Sequence, residues 1–171
     1  TIPANFTQAQ AELTREAGVA AGFTEIRIQK EPVAAGLSYA LDREDDKNIL
    51  VYDFGGGTFD ATILQVGSSN LEVLGVNGDP KLGGDDITNI VIELINDYLE
   101  DEYDLSMFDF DESGLSESDF KSNSAMIKKN AEEAKIDLSS YESTTIAIPN
   151  LIHSNASAIS MEFELTRATF E

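Results

Sequence analysis

Asn48-Ile-Leu-Val-Tyr-Asp53-Phe-Gly55-Gly56-Gly57-Thr58-Phe-Asp60 places two carboxylates, three consecutive glycines and a hydroxyl within a few residues of one another. An apolar strand delivers Asp53 to its end, and Asp60 begins the return strand. Three glycines let the backbone turn tightly and aim several N–H groups at one point, a nest suited to phosphate oxygens. Carboxylates beside such a nest suit a magnesium ion with its waters, or an in-line attacking water. No Lys-Ser/Thr and no helix follow the glycines, so the stretch is not a Walker loop. Nor is it a dinucleotide fingerprint, which requires a helix where a strand follows here. Taken alone, the pattern is equally that of a glycine-rich hairpin with incidental acids.

A second glycine cluster, Gly78-Asp79-Pro80-Lys81-Leu82-Gly83-Gly84-Asp85-Asp86, stands before a helical pattern. Free N–H groups and the dipole at a helix start favour an anion, although Asp85 and Asp86 also serve simply as capping acids. Glu31-Pro32 opens another helix. Its carboxylate can orient water or only complement the dipole. The single histidine, His153, excludes a multi-histidine metal centre and reads as an exposed loop residue. The absence of cysteine removes disulfides, thiol nucleophiles and thiolate metal sites.

The elements that must position these groups are legible from pattern. Phe6-Thr7-Gln8-Ala9-Gln10 has the form of a staple and capping box opening a helix to about Ala21, with Gly22 placed to end it. Glu25 to Gln29 alternates as a short strand, and Pro32 suits the first turn of a helix reaching Leu41. Asp42 to Lys47 is a charged connection. Strands are predicted over Asn48 to Asp53, Phe59 to Val66 and Leu71 to Val76, joined by Gly55-Gly56-Gly57 and Gly67-Ser68-Ser69. The helix after Gly84 shows an apolar face of Ile87, Ile90, Val91, Leu94, Ile95 and Tyr98. A later helix centres on Ala125 to Leu138, with Ser116 to Asp119 as its cap. Strands Thr144 to Ile148 and Ala158 to Leu165 follow, and Thr166 caps a last helix. Met126 and Ile127 read as helix core.

The composition bounds the function. The 171 residues carry 11 Lys plus Arg against 32 Asp plus Glu, a net charge of −21, with a pI near 4.1. Such a field disfavours nucleic-acid backbones and anionic membrane surfaces, while a local nest of N–H groups still admits one nucleotide. No apolar run is long enough for a membrane helix, and no targeting segment is visible. From Asp97 to Phe120 there are ten acids and no Lys or Arg. Within it, Asp109-Phe-Asp111-Glu-Ser113-Gly114 has the opening of an EF-hand loop, but its twelfth position is Phe120 and its eighth Ser116. A solvated acidic loop is the preferred reading.

Together the motifs resemble one family. Glu31-Pro32-Val-Ala-Ala-Gly-Leu-Ser-Tyr39, Val51-Tyr-Asp53-Phe-Gly-Gly-Gly-Thr-Phe-Asp60, Glu72-Val-Leu-Gly-Val-Asn-Gly78-Asp79 and Leu82-Gly-Gly-Asp-Asp86 have the order and spacing of DnaK-type 70-kDa heat-shock chaperones. Ala131-Glu132-Glu-Ala-Lys135-Ile136-Asp-Leu-Ser139-Ser140 and Leu165-Thr-Arg-Ala168 resemble the bacterial form. The resemblance spans Thr1 to Glu171, poorest from Asp97 to Asn123. It implies an α/β, actin-like (ribonuclease H-like) ATPase fold, with a mixed sheet, flanking helices and a smaller α+β sublobe. Residues 1–47 would be the tail of a first lobe, 48–86 the core of the second with its phosphate loop, and 87–171 the acidic sublobe.

The resemblance also implies roles. Asp53, Gly55, Gly56, Gly57 and Thr58 would form a phosphate loop for ATP or ADP. Asp53 and Asp60 would hold magnesium waters and potassium. Glu31, Asp53, Thr58 and Asp60 would surround the attacking water and terminal phosphate. Gly83 and Gly84 would face phosphates and ribose, and Glu132, Lys135, Ser139 and Ile136 would line ribose and adenine. Implied partners are a nucleotide exchange factor, a J-domain cochaperone and unfolded polypeptide clients, in the cytoplasm. Val33 stands where the family usually has Thr, and Pro80-Lys81 where it has Thr-His. The family's first phosphate loop, catalytic lysine and last adenosine loop are not among these residues. The chain is therefore expected to be an inactive fragment with half a nucleotide site, and to expose an apolar patch favouring self-association. Two rival readings are a non-enzymatic docking lobe for an exchange factor and another actin-like ATPase such as a sugar kinase.

Overall fold

The computed structural model describes residues 1–40, 47–67, 70–152 and 157–171. His153, Ser68, Ser69 and most of the charged connection lie outside the described residues. The chain forms two compact units, Thr1–Gly84 and Asp85–Glu171.

In the first unit, α1 (Gln8–Ala20) starts at the predicted capping box: Thr7 accepts from the Gln10 backbone, and the Gln10 side chain returns to Thr7. It ends in a Schellman motif, with Gly22 N–H donating to Val19 O and Phe23 N–H to Gly18 O. α1 buries no residue of its own. The strand expected over Glu25–Gln29 does not form. A strand needs a partner, and the available one is a single residue, Ile2, bridged in parallel to Lys30. Ile2 N–H donates to Gln29 O and Glu31 N–H to Ile2 O. This short clip leads into α2 (Glu31–Ala40).

β1 (Lys47–Phe54), β2 (Phe59–Val66) and β3 (Leu71–Asp79) form an antiparallel sheet in chain order. β3 extends three residues beyond the expected Val76, carrying Gly78 opposite Asp60. Side chains alternate across the pleat. Asp60, Thr62, Leu64 and Val66 are buried on one face, which α2 covers, with Gly36 against Leu64, Leu71 and Ile49. The opposite face exposes Leu50 (65%), Tyr52 (66%) and Ile63 (47%).

The second unit packs α3 (Gly84–Tyr103, whose first residue closes the first unit), α4 (Phe110–Ser113), α5 (Glu117–Asp137), β4 (Ser143–Ile152), β5 (Ala158–Thr166) and α6 (Arg167–Phe170). β4 and β5 form an antiparallel hairpin. Both sheets are thus antiparallel. The expected mixed sheet is represented among the described residues only by the Ile2–Lys30 bridge. The α3 stripe turned inward is Thr88, Val91, Ile95 and Leu99, whereas Ile90, assigned inward from the sequence, is exposed. Val91, Ile95 and Leu99 meet Ile127, Ala131 and Ala134 of α5, Leu138 at its C-cap, and Ile146, Ile148, Met161 and Leu165 of the hairpin, in one core.

The acidic stretch is mostly helical, not a solvated loop. It holds the end of α3, all of α4 and the start of α5, and it buries Leu105 and Met107. Asp109 caps α4 by accepting from Asp111 N–H, and Gly114 ends it at φ 66°, a left-handed conformation costly for other residues. Among the described residues no group of three or more His, Asp or Glu could hold a metal ion. Nor is any helix there long and apolar enough to cross a membrane. Ser116 and Thr166 cap α5 and α6 as expected.

Candidate functional site

In the first unit the antiparallel register sets Asp53 opposite Asp60 at the mouth of the glycine turn. Gly55 N–H closes the turn on Thr58 O at 2.9 Å. The second glycine cluster docks directly on it: Gly84 N–H donates to Gly55 O at 2.9 Å. Gly83 lies so close that a Cβ there would sit 2.3 Å from Gly56 O and 2.5 Å from Gly57 N. Only glycine permits this backbone-to-backbone approach. Gly55, Gly56, Gly57, Thr58, Gly83 and Gly84, read separately from sequence, are therefore one surface.

Asp60 is only 3% exposed. Its Oδ1 accepts from Asn5 Nδ2 at 2.6 Å. Burial pushes its carboxyl above the ordinary carboxylate range. The Ala4 backbone N–H opposes that rise, the Asp53 carboxylate adds to it, and the Lys30 ammonium opposes it. Lys30 Nζ also donates to Ala4 O. Glu31, the first residue of α2, accepts from Thr1 Oγ1 at 3.3 Å. One short segment, Thr1–Asn5, thus touches both Glu31 and Asp60. Asn5, Thr58, Asp60 and Pro80 help to line a cleft of ≈ 260 Å³. Val33 is half-buried on α2, and nothing in the structure explains its replacement of Thr.

In the second unit, Glu132, Lys135, Ile136 and Ser139 have the i, i+3, i+4, i+7 spacing of one helix face, with Ser139 just past the end of α5. Lys135 Nζ lies 2.6 Å from Glu132 Oε2. Thr88 Oγ1 donates to the same Oε2 at 2.5 Å and accepts from Lys135 Nζ at 2.9 Å. The Lys135 hydrogen bond, then that of Thr88, holds the Glu132 carboxyl below its ordinary range, against some desolvation. Ile136 is 58% exposed, an apolar surface beside the charged pair. Ser139 is exposed, its N–H donating to Ile136 O at 3.0 Å. Asp85 and Asp86 lie in the first turn of α3, and Asp85 pairs with Lys128 at 3.6 Å.

Thr88, Asn5 and Lys30 were missed by motif reading. Thr88 had a signal, since it continues the 91, 95, 99 stripe by one step of three. Asn5 and Lys30 had none, because their partners are distant in sequence.

Two docked glycine turns beside a register pair of carboxylates mark the candidate site of an α/β module. The chain matches the family model described as Hsp70 protein over residues 1–171, and it belongs to the Hsp70 family. That family comprises chaperones whose ATPase domain has an actin-like fold and binds ATP or ADP with magnesium. The α/β content with small sheets agrees with membership.

Proposed function

We propose that this chain is the central part of the nucleotide-binding domain of a bacterial DnaK-type chaperone, one that couples ATP hydrolysis to protein folding in the cytoplasm. The observation that carries this reading is the docking of Gly83-Gly84 on Gly55-Gly56-Gly57, a close backbone contact that a side chain would block. Bare glycine backbone on both turns would let a phosphate approach closely. The Glu132 to Ser140 segment, forming the end of α5 and the turn beyond it, supports the bacterial assignment. Residues 1–47 are assigned to the tail of a first lobe, 48–86 to the phosphate-loop core and 87–171 to the sublobe that meets an exchange factor. The J-domain cochaperone and unfolded clients are partners of the whole protein.

The residues fit a magnesium nucleotide. Asp53, half-buried at a strand end, and Asp60 suit a hydrated cation, with potassium as a second occupant of the same carboxylates. Bound magnesium would screen the charge of the phosphoryl oxygens. Gly55, Gly56, Gly57 and Gly83 would cradle the phosphates, while Glu31, Asp53 and Thr58 orient water. Glu132 and Lys135 would read the ribose, with Ile136 against the base. Catalysis in such a site is positioning plus charge stabilisation, without a covalent enzyme intermediate.

Calorimetric titration of the chain with Mg-ADP in potassium buffer, beside Asp53→Ala, tests this. Binding by the native chain that disappears in the variant is expected. Absence of binding at millimolar ADP, or equal binding by the variant, overturns the assignment.

A further inference from the structure

We infer that Thr88 is a positioning residue that clasps Glu132 and Lys135 into the arrangement that reads ribose hydroxyls. This inference rests on the nucleotide reading above. Thr88 is fully buried one turn into α3. Its hydroxyl donates to Glu132 Oε2 at 2.5 Å and accepts from Lys135 Nζ at 2.9 Å, and the ammonium closes the triangle on the same oxygen at 2.6 Å.

An i, i+3 ion pair on one helix is a weak and mobile feature by itself. A hydroxyl from a second helix changes that, because it uses its one proton on the carboxylate and a lone pair on the ammonium. Both contacts converge on Oε2. A carboxylate fixed in this way presents one oxygen to the hydroxyl donors of a vicinal diol. Lys135 is mostly covered, with 18% of its side chain exposed, whereas Glu132 retains 45%. The carboxylate is thus the accessible member, and Thr88 is the hidden one that aims it.

The test compares Thr88→Val, which keeps shape and removes the hydroxyl, with Thr88→Ser, which restores it. Each is titrated with ADP and with 2′,3′-dideoxy-ADP, which lacks both ribose hydroxyls. ADP affinity is expected to fall about tenfold in Thr88→Val, equivalent to about 1.4 kcal/mol. Affinity for dideoxy-ADP should hold, and Thr88→Ser should recover ADP binding. Loss of both ligands by the same factor, as a purely structural role gives, overturns the inference. So does unchanged ADP discrimination in Thr88→Val. A ligand-free measurement stands beside these: the Lys135 ammonium ¹⁵N–¹H signal, protected from exchange in native and Thr88→Ser chains, should vanish in Thr88→Val. Its persistence there also overturns the clasp. If the native chain shows the protected signal but binds no ADP, the nucleotide reading fails and the ribose role falls with it.

Discussion

The first unit carries its candidate phosphate site on a sheet covered on one face, whereas the second surrounds its clasp with a closed core. α3, α5 and the β4–β5 hairpin of the second unit turn their apolar stripes on one another. Its buried polar groups are also bonded. Asn96 Oδ1 accepts from Met107 N–H at 2.6 Å, and Asn123 both donates to Ile152 O and accepts from Ile152 N–H. In the first unit the outer sheet face stays apolar and open, Thr62 Oγ1 is buried without a hydrogen-bond partner among the described residues, and Asp60 is a buried carboxylate. Costs of burying polar groups therefore accumulate where the candidate chemistry lies. A loop built from backbone N–H groups needs close glycine contacts more than a large core. Side chains that read a ribose need the rigidity that a core supplies.

The contrast breaks first at the core. Leu99→Ala empties a fully buried position in the second unit and should cost about 2–5 kcal/mol in urea unfolding. A smaller loss would mean that core is looser than its packing implies. Thr62→Val, by contrast, should stabilise the first unit by about 1 kcal/mol, because it replaces an unbonded hydroxyl with a methyl of the same shape. Destabilisation would show that the hydroxyl has a partner in solution.

Two carboxyls sharpen the comparison through pH, with opposite signs. Asp60 has a raised native value, so the native state holds a proton that the unfolded state releases. Stability is lost as pH rises from the ordinary carboxylate range through that raised value. Asp60→Asn should remove this loss, with its full advantage at neutral pH and none in acid. Glu132 has a depressed native value. Its contribution is present above the ordinary range and lost as pH falls through the native value, and Glu132→Gln should abolish that acid step. Thermal midpoints followed from neutral pH into acid distinguish the two slopes. Last and smallest, Leu50→Thr on the open face should change stability by no more than about 0.5 kcal/mol. A larger loss would show that this face is covered in solution.

Caps and alternation were readable because they are chemistry between near neighbours. Thr7 with Gln10, Ser116 with Asp119 and Thr166 with Thr169 each close within a turn, and β2 appears with its expected limits. The glycine and carboxylate motifs were readable for the same reason. Tertiary structure decided the rest. Glu25–Gln29 has strand pattern but lacks a partner strand, and the phase of α3 was set by what faces it, turning Ile90 outward and Thr88 inward. Ten acids in a row of helices concealed Leu105 and Met107, which the core claims. Residue types and spacing thus specified which groups could bind a phosphate or a sugar. Which glycines meet, which threonine clasps the ion pair and which asparagine reaches Asp60 depended on contacts between residues far apart in the chain, and those exist only once the units have packed.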